Sequence, residues 1–179
     1  MAEGLKRAPN FRLAFVTPSH QQPLGMSMSL ARRFALLAAA ERAGAWIVED
    51  DYDGEFAFAG SPLPTLKSVD ATGLVIYVGT FSKSLFSSLR LGFMLVPPAL
   101  VDVLNAIMSK LLHGARSCVQ QVVAEFIDES HFASHLRRMR RIDAERHDVL
   151  CAAAWRRLAG MLDIVPSASW GPTRNTCGS

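Results

Sequence analysis

Apolar positions along this chain keep two rhythms. The first half carries short unbroken runs: Leu13-Ala14-Phe15-Val16, Ala45-Trp46-Ile47-Val48, Val75-Ile76-Tyr77-Val78, and Phe93-Met94-Leu95-Val96 ahead of Pro97-Pro98. Runs of that length, bounded by Pro, Gly and polar residues, read as buried strands. Between the first two, residues 29–43 place Leu30, Phe34 and Leu37 on one helical face, and Gly44 stands where a helix C-cap belongs. The spacing then turns helical for good. It predicts a helix over 99–113 through Leu100, Val103, Leu104, Ile107 and Leu111. A second follows over 119–128 through Val122, Val123 and Phe126, and one long helix over 131–158. Strands alternating with helices imply a layered α/β domain, and the helical second half reads as an exit from it. Residues 167–179 lose periodicity and read as irregular chain.

Composition sets bounds on this picture. With 179 residues, 50% hydrophobic and 20% charged, the chain can bury one ordinary core and is not disordered in character. A net charge of +3 does not imply a nucleic-acid partner. The basic run Leu136-Arg137-Arg138-Met139-Arg140-Arg141 has Asp143, Glu145 and Asp148 close by, so it reads as an internally paired, solvated helix face. Cys118, Cys151 and Cys177 are odd in number and scattered, which suits a reducing cytoplasm and no zinc or disulfide framework. His131 and His135 share a helix face, but no neighbouring acid completes a metal set. Residues 1–7 lack the apolar core of a signal peptide, and no run approaches the ~20 residues of a membrane span. The expectation is a soluble cytoplasmic protein.

The candidate chemistry gathers where strands end. Val75-Ile76-Tyr77-Val78 delivers Gly79-Thr80-Phe81-Ser82-Lys83, and Arg90 follows Lys83 by seven residues. A lysine among hydroxyls, with a planar guanidinium near, supplies an amine for an aldehyde and a cradle for a phosphate dianion. Those are the requirements of pyridoxal 5′-phosphate (PLP). An amine beside cationic groups in a partly dry pocket can act as a nucleophile near neutral pH. The run ending at Val48 gives way to Glu49-Asp50-Asp51-Tyr52-Asp53. A carboxylate at Asp50 facing a pyridine nitrogen keeps that nitrogen protonated, whereas Asp51 and Asp53 point elsewhere on an extended chain. Tyr52 shares the Asp50 face and can hydrogen-bond the ring hydroxyl.

These residues resemble fold-type I PLP enzymes of aminotransferase class I/II, and most closely the aminotransferase-like domain of MocR-type regulators. The phrases that carry the resemblance are Val16-Thr17-Pro18-Ser19-His20-Gln21, Ile47 to Phe56, Val75 to Leu85, and Leu89-Arg90-Leu91-Gly92. It implies a three-layer α/β PLP-dependent transferase large domain, partial here. Residues 1–130 would belong to that domain, 131–165 would be a helical connection toward a small domain, and 166–179 an irregular tail. By the likeness Lys83 aligns with the Schiff-base lysine and Asp50 with the pyridine-nitrogen acid. Tyr52 aligns with the tyrosine near the ring hydroxyl, and Arg90, Thr80 and Ser82 with phosphate contacts. Gln22-Pro23-Leu24-Gly25 stands where aminotransferases have Asn-Pro-Thr-Gly, so Gln22 or Gln21 is the corresponding amide. The chain would begin after the family's glycine-containing phosphate loop, its ring-stacking aromatic and, in MocR-type proteins, a winged helix-turn-helix, and would stop before the small domain that supplies the substrate-carboxylate arginine. The implied partners are a small amino compound and, in the intact family, a second copy of the chain, with no membrane and no direct nucleic-acid contact from this segment. Three readings stay open: a transaminating enzyme domain, an effector-sensing domain of a transcription regulator, and an inactive truncated remnant.

Overall fold

A computed structural model describes residues 10–21, 26–52, 54–56, 63–112, 117–158, 164–165 and 173–174. Four strands form one sheet in the order β1 (Leu13–Val16), β2 (Trp46–Asp51), β3 (Val75–Thr80), β4 (Gly92–Leu95). The first three run parallel, and β4 returns antiparallel on β3. The parallel register sets Asp50 beside Val78 and Asp51 beside Gly79, so the acidic end of β2 and the end of β3 share one edge of the sheet.

Helix α1 (Leu30–Ala43) crosses from β1 to β2 and ends at Gly44, whose left-handed backbone (φ 59°) caps it through N–H bonds to Ala40 and Glu41. Leu36, Leu37 and Ala40 of α1 meet Ile47, Leu66 and Val75 to form the core. Here the expected helix face is corrected: Phe34 is 50% exposed and Leu30 also faces out, while Arg33 is 1% exposed. The buried guanidinium explains the rotation. It donates to the carbonyls of Met28, Pro64 and Pro18, each at 3.0 Å, and lies 3.7 Å from the fully buried Glu49. Glu49 in turn accepts the backbone N–H groups of Leu66 and Lys67 at 2.8 Å. Burial raises the Glu49 pKa, opposed by those two amides, and lowers that of Arg33. A hydrophobic-periodicity argument cannot foresee such a pair, because it assigns arginine to the solvent side.

A short α2 (Phe81–Ser84) follows β3 directly, and a 3₁₀ turn over Ser87–Leu89 leads to β4. The helical half is as expected in order: α3 (Pro98–Leu112), α4 (Ser117–Asp128) and the long α5 (His131–Leu158). The expected α3 stripe is only partly covered, since Val103, Ile107 and Leu111 are exposed. Within the stretch expected to be irregular, Thr173–Arg174 (β6) pairs antiparallel with Ile164–Val165 (β5). No helix among the described residues is long and apolar enough to cross a membrane.

Candidate functional site

Alternation along β2 separates its three consecutive acids. Glu49 and Asp51 are buried beneath the sheet, while Asp50 is half-buried on the opposite face. Asp51 Oδ2 accepts the Tyr77 hydroxyl at 2.9 Å, and burial followed by the nearby Asp51 carboxylate raises the Tyr77 pKa far above its ordinary value. Asp51 is thus committed to the underside. Asp50 is left on the face that also carries Thr80, at the same edge of the sheet.

The lysine comes from α2. Thr80 caps this turn: its Oγ1 accepts the Ser82 N–H at 3.1 Å and reaches the Leu91 carbonyl at 3.5 Å. The Phe81 N–H donates to that same carbonyl at 2.9 Å, so residues 81–91 form a loop pinned at both ends. Lys83 projects outward with its Nζ 4.2 Å from the centre of the Tyr52 ring, a cation over an aromatic face. Tyr52 is held in turn. Its hydroxyl donates to the His20 carbonyl at 2.7 Å, and its ring stacks at 6.3 Å on that of His20. Phe15, Thr17, Tyr52 and Lys83 line an open hollow of about 480 Å³.

A second hollow of about 450 Å³ is lined by Thr80, Ser82, Ser87, Arg90, Leu91 and Gly92. Arg90 has a left-handed backbone, φ 48° and ψ 40°. Three hydroxyls and one guanidinium around one depression form a donor set suited to a phosphate dianion.

Of the residues singled out from sequence, the structure brings Lys83 to Tyr52, and Thr80 and Ser82 to Arg90. Asp50 shares their sheet edge without lining either hollow. Gln22 lies outside the described residues, while Gln21 is described and bonds Met26 through its backbone N–H. The partly dry pocket expected for Lys83 is corrected, since the side chain is exposed. Sequence reasoning missed Phe15, Thr17 and Ser87. Thr17 had a readable signal, because it follows a parallel strand directly, at the end where ligand crevices form.

The model of the family "Aminotransferase class I and II" matches residues 1–167. The chain belongs to this family. Its relatives include the probable rhizopine catabolism regulatory protein MocR of Rhizobium meliloti, 51% identical over 87% of this chain. Another is the HTH-type transcriptional regulator YhdI of Bacillus subtilis, 42% identical over 86%. The chain spans about a third of the length of each, 32% and 33%. Among solved structures, it is similar to the kynurenine aminotransferase of Pyrococcus horikoshii in complex with PMP (28% identity, TM-score 0.80). That match covers 94% of this chain and 43% of the other. It is also similar to LysN of Thermus thermophilus, an α-aminoadipate aminotransferase complexed with N-(5′-phosphopyridoxyl)-L-leucine (30% identity, TM-score 0.78, 94% and 43%). This aminotransferase-family chain therefore has the α/β fold expected for part of the large domain.

Proposed function

We propose that this aminotransferase class I/II domain binds pyridoxal 5′-phosphate, anchored at Lys83. The observation that carries the reading is one pinned loop: Lys83 stands over Tyr52 at one hollow, and Ser82 and Arg90 of the same loop, with Thr80, line a second. The residues present fit the group, because an amine and an anion cradle sit on the same loop beside an aromatic face. When bound, PLP supplies an electron-withdrawing ring for chemistry at the α-carbon of an amino compound.

The chain's own groups then have distinct tasks. Lys83 Nζ would hold the aldehyde end and, as a free amine, would take up or return a proton at that same nitrogen. Arg90 would bind phosphate oxygens through its fork, with the Thr80 and Ser82 hydroxyls beside it. The Asp50 carboxylate would hold a proton at the pyridine nitrogen, and Tyr52, its hydroxyl on the His20 carbonyl, would orient the ring. By the family resemblance, Gln22 or Gln21 would be the amide partner of the ring hydroxyl. A small amino compound is the substrate in the transaminating reading. The regulator relatives carry a second one, in which the same site senses an amino effector and a separate module reads DNA.

Borohydride treatment of the chain with PLP, followed by peptide mapping, tests the assignment. A stable label on Lys83, lost in Lys83→Ala, is expected. Label on Lys67 or Lys110 with none on Lys83 would overturn it. Conversion of PLP to its amine form by added amino acids separates transamination from sensing.

A further inference from the structure

The first turns of α5 reach back to both segments that carry the candidate site. The His135 Nε2 lies 2.8 Å from the Ser84 carbonyl, the residue next to Lys83 and the last of α2. A carbonyl only accepts, so Nε2 carries the proton and the imidazole donates. Three residues earlier, the Phe132 ring meets Phe81 edge to face, with centres 5.7 Å apart, at the other end of the same turn. Further along, Arg140 donates through Nε to the carbonyl of Glu55, just beyond Tyr52. A four-residue helix leaves most of its carbonyls without partners in the turn, and Ser84 is 1% exposed, so water does not serve it well. Phe132 and His135 thus hold α2 at its start and its end, and Lys83 lies between the two points of support.

We infer that His135 is a positioning residue for Lys83. By bonding the Ser84 carbonyl it sets the pitch of the α2 turn, and with it the reach of the lysine amine over Tyr52. The inference rests on the reading of Lys83 as the cofactor anchor. It adds that a residue of the long helix, more than fifty positions along the chain, governs how well that amine meets its aldehyde. Movement of α5 and occupancy of Lys83 are then linked in both directions.

The test uses the full chain, PLP as the probe, and His135→Ala beside His135→Gln, whose amide keeps a donor of similar reach. Two readouts are compared: hydrogen exchange of the peptide covering residues 81–91, which needs no cofactor, and the visible absorbance and borohydride-stable label at Lys83 as PLP is titrated. In His135→Ala, exchange across 81–91 is expected to quicken while α1 is unaffected, and half-saturation by PLP to shift about tenfold higher. His135→Gln is expected to restore both. Unchanged exchange in His135→Ala, or a Gln variant that behaves like Ala, would overturn the assignment. If the wild-type chain takes no PLP at Lys83 yet exchange responds with Gln rescue, the cofactor reading fails and the positioning of the lysine turn stands.

Discussion

Arg90 holds a backbone conformation that costs a residue bearing a Cβ about 1–2 kcal/mol. Nothing in the local turn demands arginine, and glycine would sit there without strain. On the reading proposed above, the guanidinium at that hollow would offset the cost, since backbone strain and binding often coincide. Arg90→Gly and Arg90→Ala are therefore expected to weaken phosphate binding alike, while Gly is more stable than Ala by about 1 kcal/mol. Urea denaturation beside PLP titration checks the split; equal stability would mean that the strain is absent in solution. Lys83, Thr80, Ser82 and Arg90 are legible in the sequence as neighbours because they share one short stretch of chain. Phe15 and Thr17 are not legible as its neighbours, since they reach Lys83 only through the pairing of β1 with β2 and of β2 with β3.

Among the elements, the turn that launches β3 shows how a single acid can organise a strand. Asp70 Oδ1 accepts the N–H groups of Thr72 and Gly73 and the Thr72 hydroxyl, and Oδ2 accepts the N–H of the buried Val75 at 2.8 Å. Burial works against the charge, yet these bonds outweigh it and hold the carboxyl below its ordinary 3.8. A depressed acid stabilises fully above its unfolded value and loses that contribution as pH falls through the folded one. Asp70→Ala is expected to cost about 1–3 kcal/mol at neutral pH, with the gap to wild type closing below pH 3.8. Chemical denaturation across that range measures it, and a gap that persists at acid pH would assign the effect to packing. Element order and boundaries are legible from hydrophobic rhythm almost throughout. The buried face of α1 is not, because Arg33 and Glu49 satisfy each other and the surrounding carbonyls and amides inside the core, a bargain that polarity alone does not reveal.

At the scale of the whole molecule, among the described residues the sheet is well covered on the α1 side. On the other face Leu13 is 57% exposed, Phe15 65% and Met94 41%, with β1 and β4 as its edges. Exposed apolar surface beside open strand edges invites self-association. The chain is expected to sediment as concentration-dependent assemblies, reduced by Leu13→Lys with Met94→Lys, which leave both hollows untouched. A sharp single-species monomer at all concentrations would contradict this. The loop between β3 and β4 stands apart from such vulnerability. Its entry amide and exit carbonyl fasten to one another across Phe81 and Leu91, so the amine and the guanidinium ride on a single clasp. Distortion elsewhere in the protein would displace that clasp as a unit, and the spacing between its two cationic prongs would be preserved.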